Sequence, residues 1–465
     1  MTHDDGATAL PQGDRKYTYL ITLVATLGGF LFGFDTILFS GAQISLEKYF
    51  KLTPDDLGWA ASTVLLGCVL GTCVAVLISD AIGRKKTMIF AGLLFAVSAV
   101  GTAVPNSIYV FNWFRFIGGL AIGIAMVISP VYIAEIAPRK IRGRLVTLNQ
   151  IVIVSGAIIA VFISWVLAKT LPDEINWRWM FASECIFILG FVIGLLFIPE
   201  SPRWLVEKDR ENEARGILTR INGEKTAAEE VEEIQESIEL EKERAGGGYR
   251  ELVLPGVRMA MIVAVGLAVL QQFSGAMPLC LYAPIIFRGA GFTETEDAIG
   301  VTLFIFIWGL VCVLIVLSLV ERVGRRPLLL GGMSAMAVGH LVLAYCFENN
   351  VNPYIMAVCL ILTTGMSNLS ISPLAWVILA EIFPTRIRGR AMGVATFVLY
   401  ASSYCVTRYF PPVKGYFEGK YGTPSGIFII LAVICAVGVA FMWKMVPETK
   451  GKSLEEIANF WLRKH

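Results

Sequence analysis

The sequence predicts an all-α membrane protein: twelve transmembrane helices in two six-helix halves, with a small cytoplasmic helical segment between them. Three observations predict it. The 465 residues are 56% hydrophobic and only 16% charged, with a mean hydropathy of +0.67, too apolar for a water-soluble chain of this size. Apolar stretches of roughly 18 residues or more recur from Tyr17 to Val446, each long enough to cross a hydrocarbon core of roughly 30 Å as a helix. Three loop patterns also occur twice at nearly one offset, the trace of an internal duplication.

Taken in order, the expected spans are residues 17–41, 57–79, 87–104, 107–134, 145–169 and 178–198, then 257–287, 298–320, 328–347, 353–380, 391–413 and 424–446. The first follows a polar, acidic start (MTHDDGATAL) with no small-residue cleavage site before the next span, so it reads as a retained helix and not a signal peptide. The repeated patterns are DAIGRK from Asp80 with ERVGRR from Glu321, AEIAPRKIRGR from Ala134 with AEIFPTRIRGR from Ala380, and PESPR from Pro199 with PETKG from Pro447. Their offsets of about 241, 246 and 248 residues assign six spans to each half. The organisation is therefore a tail (1–16), an N-terminal half (17–199), a helical linker (200–250), a C-terminal half (251–447) and a C-terminal helix (448–465, with its apolar face near Leu454–Leu462). The linker carries runs such as EEVEEIQESIELEKER with apolar residues at helical spacing, which predicts two or three short amphipathic helices ending at the flexible Gly246–Gly248. Its charge run reads as a solvated face.

Lys and Arg gather in alternate loops (GRKK, RKIRGR, the linker, ERVGRR, TRIRGR), while the loops between them (TPDDLG, PNSIY, LPDEIN, TETEDA, FENN) are acidic or neutral. The positive-inside rule then places both termini and the basic loops in the cytoplasm, in a cell membrane, inner or plasma. All nine cysteines fall within expected spans, with no CxxC pair and no neighbouring His cluster, so neither disulfide, metal nor cofactor is expected. No GxxxxGK[ST] loop is present to drive the chain with ATP, and no nucleophile with a base argues for an enzyme.

Ionisable residues inside spans are costly and usually functional. In the N-terminal half these are Asp35 in the first span, Arg115 and Glu135 in the fourth, and Glu184 in the sixth. Low dielectric favours the neutral acid and a nearby guanidinium the charged one, so an Asp facing an Arg can switch between salt-bridged and protonated states and couple proton flow to a conformational change. A static structural pair is the competing reading. The duplicated loop motifs offer acids and bases (Asp80, Arg84, Glu135 and Arg142; Glu321, Arg325, Glu381 and Arg388) that can latch helix ends of one half and release when that face opens, besides anchoring topology. Gln150, Gln271 and Gln272 are amides in apolar spans, suited to bracket the hydroxyls of a neutral polyhydroxylated ligand. Trp376, in the tenth span after Ser372 and Pro373, which are expected to break the helix, can stack on a sugar ring, or sit at the membrane interface.

At these residues the chain resembles the sugar porter family of the major facilitator superfamily, from about Tyr17 to Ile457. The carriers are the GRKK and ERVGRR loops, the paired AEI motifs, PESPRWL, PETKG, QQFSG at Gln271 and PLAWVILAE around Trp376. The resemblance implies a sugar bound between the halves, with Gln150, Gln271, Gln272 and Trp376 at sugar-contacting positions and Tyr282 in the same set. It also implies Asp35, Arg115 and Glu184 as the coupling network of the proton-coupled members. Met277 (followed by Pro278), Leu399 and Tyr400 fall, by the same resemblance, at further substrate-binding positions where the family has other side chains, and Val76 and Ala81 depart from the first gate motif. The reading is proton symport of a monosaccharide into the cytoplasm by alternating access, the partners being the sugar, protons and the bilayer, with no nucleic acid and a monomeric chain. A passive facilitator is the alternative, and a non-transporting sugar sensor a more distant one, since such sensors carry a long extension and this chain ends at His465.

Overall fold

The computed structural model describes residues 14–137, 142–244, 251–252, 254–383 and 385–450. Gly246–Gly248, the expected C-terminal helix near Leu454–Leu462 and the side chains of Arg142, Glu321 and Arg388 lie outside the described residues. The first half is α1 (Arg15–Phe50), α2 (Pro54–Ile82), α3 (Arg84–Ala103), α4 (Ile108–Ile136), α5 (Arg142–Thr170) and α6 (Asp173–Phe197). Three short helices form the linker: α7 (Pro202–Glu207), α8 (Glu211–Asn222) and α9 (Glu224–Arg244). In the second half run α10 (Pro255–Phe273), α11 (Ala276–Leu281), α12 (Ala283–Ala290), α13 (Thr295–Val323), α14 (Arg325–Glu348), α15 (Pro353–Asn368), α16 (Ile371–Glu381), α17 (Thr385–Tyr421) and α18 (Ser425–Met445).

Two expected spans are not continuous helices. The seventh, expected over 257–287, is three pieces, α10 to α12, broken at Ser274–Gly275 and at Tyr282. Gly275 takes φ +92°, and Pro278 has no N–H to continue the ladder. In the tenth, expected over 353–380, the break falls at Leu369–Ser370, before the expected Ser372 and Pro373, because Pro373 offers no N–H to the Leu369 carbonyl and so sits in the first turn of α16. Eleven spans among the described residues are apolar and long enough to cross by composition. The twelfth lies in α17, 37 residues long, whose apolar run is diluted by Ser402, Ser403, Thr407 and Arg408.

Close packing without a hydrophobic drive between helices needs small residues. A Cβ on Gly67 or Gly71 of α2 would strike the Phe116 or Leu120 carbonyl oxygen of α4, and one on Gly119 or Gly123 of α4 would strike those of Val64 or Cys68. The helices therefore mesh backbone to backbone. Gly33 and Gly156 do the same for α1 and α5, against Ile153 and Phe30.

The linker packs on one end of the first half. Trp204, Leu205, Val206 and Ala214 form its buried core, and Trp204 Nε1 donates to the Asp80 carbonyl at 3.1 Å. The start of α1 joins this end, with Asp14 N–H donating to Arg220 O at 3.0 Å and the Arg220 guanidinium 3.6 Å from the centre of the Tyr17 ring.

The duplication is visible in three dimensions. Glu200 caps the start of α3, accepting from Lys85 N–H at 2.9 Å, and Glu448 caps α14, accepting from Arg325 and Arg326 N–H at 3.1 Å each. Gly83 and Gly324, at φ +96° and +102°, leave no room for a Cβ beside these carboxylates. Partial burial raises the Glu448 acid, but backbone N–H donors from Lys450, Arg325, Arg326 and Thr449 outweigh it and hold the carboxyl below the ordinary value of 4.5. A depressed carboxyl contributes stability that is complete above 4.5 and is lost as pH falls through its folded value. Glu448→Gln is expected to destabilise the protein at neutral pH by about 1 to 2 kcal/mol, with the gap to the parent closing in acid. Melting curves in detergent at neutral pH and near pH 4 check this, and a gap independent of pH would show that the charge is not what caps α14.

Candidate functional site

A cavity of about 220 Å³ lies between the halves. The first half supplies Phe32, Gly33, Thr36 and Ile37 from α1 and Ile153, Val154 and Ala157 from α5, a wall whose one polar side chain is Thr36. The second half supplies the polar wall: Gln271 and Gln272 at the end of α10, Met277 and Cys280 on α11, Ser367 and Asn368 at the end of α15, and Ser372 at the start of α16. The two helix breaks bring these residues to one level. Gln271 Nε2 donates to the Ser372 carbonyl at 3.2 Å, which orients the amide and leaves Gln271 Oε1 without a partner among the described residues; Gln272 Oε1 is likewise unpaired. Ser367 and Ser372 hydroxyls pair at 3.1 Å. Buried acceptors lacking donors are complementary to hydroxyl groups.

Asp35 lies on α1 among the lining residues but is directed at α4 and α6. Arg115 Nη1 of α4 donates to Asp35 Oδ1 at 2.6 Å, with the two side chains 1% and 2% exposed, and Phe39 and Phe181 flank the guanidinium at 5.7 Å. Glu184 of α6 stands beside Asp35. Asp35 Oδ2 and Glu184 Oε1 are buried without a hydrogen-bond partner among the described residues. One guanidinium balances one carboxylate, so the trio is neutral only with one proton bound.

The remaining expected site residues lie outside the cavity wall. Gln150 and Trp376 are exposed, about one turn from Ile153 and Ser372 toward the linker end. Tyr282 is buried at the second break of the seventh span, its hydroxyl donating to the Thr407 carbonyl at 2.8 Å and its ring stacked on Phe410. Leu399 and Tyr400 are buried in a cluster with Cys68, Ile124 and Ile128 of the first half. Among the gate residues, Arg84 forks onto Glu135, two bonds of 3.1 Å, and reaches Asp80 at 3.3 Å; Arg325 pairs with Glu381 at 3.0 Å. These pairs lie within one half each, at the linker end.

Reasoning from sequence missed the ties at the opposite end, where the halves meet. Ser40 and Gln43 of α1 donate to the carbonyls of Cys280 and Leu281, at 3.3 and 3.1 Å. Glu47 pairs with Arg288 at 2.6 Å and Asp55 with Arg408 at 2.9 Å. It also missed Thr36, Ser367 and Asn368. The polar run TTGMSNLSIS inside an apolar span was a readable signal for the last two.

This is the fold of a twelve-helix membrane transporter with a central site between two halves. The family described as Sugar (and other) transporter matches residues 21–461, and the chain belongs to it. The chain is 34% identical to the D-xylose-proton symporter of Escherichia coli (strain K12), covering 97% of each chain, and 34% identical to the arabinose-proton symporter of Bacillus subtilis (strain 168), covering 96% of each. A solved structure titled as the inward open conformation of the E. coli xylose transporter XylE superposes with a TM-score of 0.83, at 32% identity, over 96% of this chain and 100% of that one.

The trio predicts an asymmetry in stability. Arg115→Leu leaves two buried carboxyls with no cation and is expected to cost about 3 to 5 kcal/mol. Asp35→Asn should cost distinctly less, because Glu184 remains to balance the guanidinium. Thermal unfolding of both variants measures the difference, and equal losses would mean that Glu184 does not share Arg115.

Proposed function

We propose that this protein is a proton-coupled symporter of a monosaccharide, a hexose or pentose, carrying it into the cytoplasm by alternating access. The halves, residues 17–199 and 251–447, rock about the central cavity. The membrane is a cell membrane, and the basic loops at the linker end support, by the positive-inside rule, a cytoplasmic location for that end and for both termini. The observation that carries the reading is that α1 bears three things at once: a cavity wall, the Asp35 carboxylate paired to Arg115, and polar ties to the second half. Protonation at Asp35 alters the charge balance of the helix that also senses the ligand and holds the far side closed. The similarity to symporters whose names state xylose and arabinose supports the same chemistry. One proton moving down 100 mV releases about 2.3 kcal/mol, enough for roughly fifty-fold accumulation at one-to-one stoichiometry; a passive facilitator accumulates nothing.

Proteoliposome uptake against a panel of labelled hexoses, pentoses and polyols tests the substrate class. In the same vesicles Asp35→Asn, which mimics the protonated acid, should retain counterflow of sugar and lose accumulation driven by a pH gradient. Accumulation surviving in that variant would remove Asp35 from the coupling role and transfer it to Glu184. Gln271→Ala should weaken binding about tenfold through lost hydrogen bonds to hydroxyls. Unchanged affinity in the folded variant would exclude Gln271 from the site.

A further inference from the structure

In a continuous helix the Ser274 carbonyl would accept from the N–H four residues on. That residue is Pro278, which has none. Gly275 turns the chain at φ +92°, and the carbonyl is left facing the interior of the second half, where a C=O without a donor is unfavourable. Two other helices answer it. His340 of α14, fully buried, places Nε2 at 2.9 Å from Ser274 O, and Cys435 of α18 places Sγ at 3.6 Å. A carbonyl oxygen only accepts, so the imidazole carries its proton on Nε2 here. The thiol is the weaker donor of the two. Imidazole and turn also fit sterically: a Cβ at Gly275 would meet the His340 ring at 3.2 Å. From Ser274 the chain of hydrogen bonds continues, its hydroxyl donating to the Gln271 carbonyl at 3.2 Å.

We propose that His340 is a positioning residue for the substrate wall, supplying the donor to the Ser274 carbonyl that the break of the seventh span leaves free and so holding α11, with Met277, in register with Gln271 and Gln272. Its effect on sugar binding rests on the symporter reading above; its effect on the α10–α11 joint does not.

The test uses the full chain in nanodiscs with two readouts: hydrogen–deuterium exchange at residues 276–282, and D-xylose binding. His340→Leu, with no donor, should raise exchange in that segment and weaken D-xylose binding about tenfold. His340→Gln, which keeps an N–H donor, should recover most of both. The proposal is overturned if His340→Leu lowers the melting temperature yet leaves exchange at 276–282 and D-xylose affinity at parental values, or if His340→Gln recovers neither. Should His340→Leu not fold, the same two readouts on His340→Gln decide: near-parental values support the proposal, and loss of both overturns it. If the parent does not bind D-xylose, that bears on the substrate reading, and the exchange measurement alone decides the role of His340.

Discussion

A single guanidinium held in the low-dielectric interior of the first half organises the chemistry of this protein. Arg115 is 1% exposed and 2.6 Å from Asp35, and such a charge is tolerable only while a carboxylate balances it. With Glu184 at hand as a second acid, the site holds one more carboxyl than it has cations. That surplus is what the proposed coupling role of the trio rests on, since a buried acid beside one shared guanidinium can be either paired or protonated.

Asp35 sits on α1, a long helix of 36 residues. Its glycines let it lie directly on α5. At mid-depth it lines the cavity, and toward its end Gln43 and Glu47 grip the broken seventh span through Leu281 and Arg288. The two halves solve their own linker-end packing separately and in the same way: an arginine at the start of α3 or α14 pairs with a glutamate at the end of α4 or α16, and a second glutamate caps the helix start. Each half is thus a latched body. The cross-half ties described lie at the opposite end.

Helix number, the division into halves and the duplicated loop motifs were legible in the sequence because each depends on local quantities: run length, charge in alternate loops and repeated motifs. Asp35, Arg115 and Glu184 were legible as well, since an ionisable residue in an apolar span stands out without any knowledge of its neighbours. Three features were not. The breaks of the seventh and tenth spans depend on a Gly or Pro together with the partners that satisfy the freed carbonyls. His340 of α14 facing Ser274 is such a partner, and nothing in its own span announces it. Tyr282, Leu399 and Tyr400 were placed at the sugar site by the family resemblance, yet they pack against protein here. The residues joining the halves at the far end, such as Asp55 and Arg408, are 353 positions apart.

By itself, then, the sequence determined that this chain crosses a membrane about twelve times as two related bundles, with a few buried charges and amides to act with. The reason is that transfer of each segment into lipid is a property of that segment alone. Tertiary structure decided which acid meets Arg115, which amides converge on one cavity and at which end the halves are tied. Those are matters of distance between segments remote in the chain, and hydrogen bonds and ion pairs form only where packing brings such groups within about 3 Å.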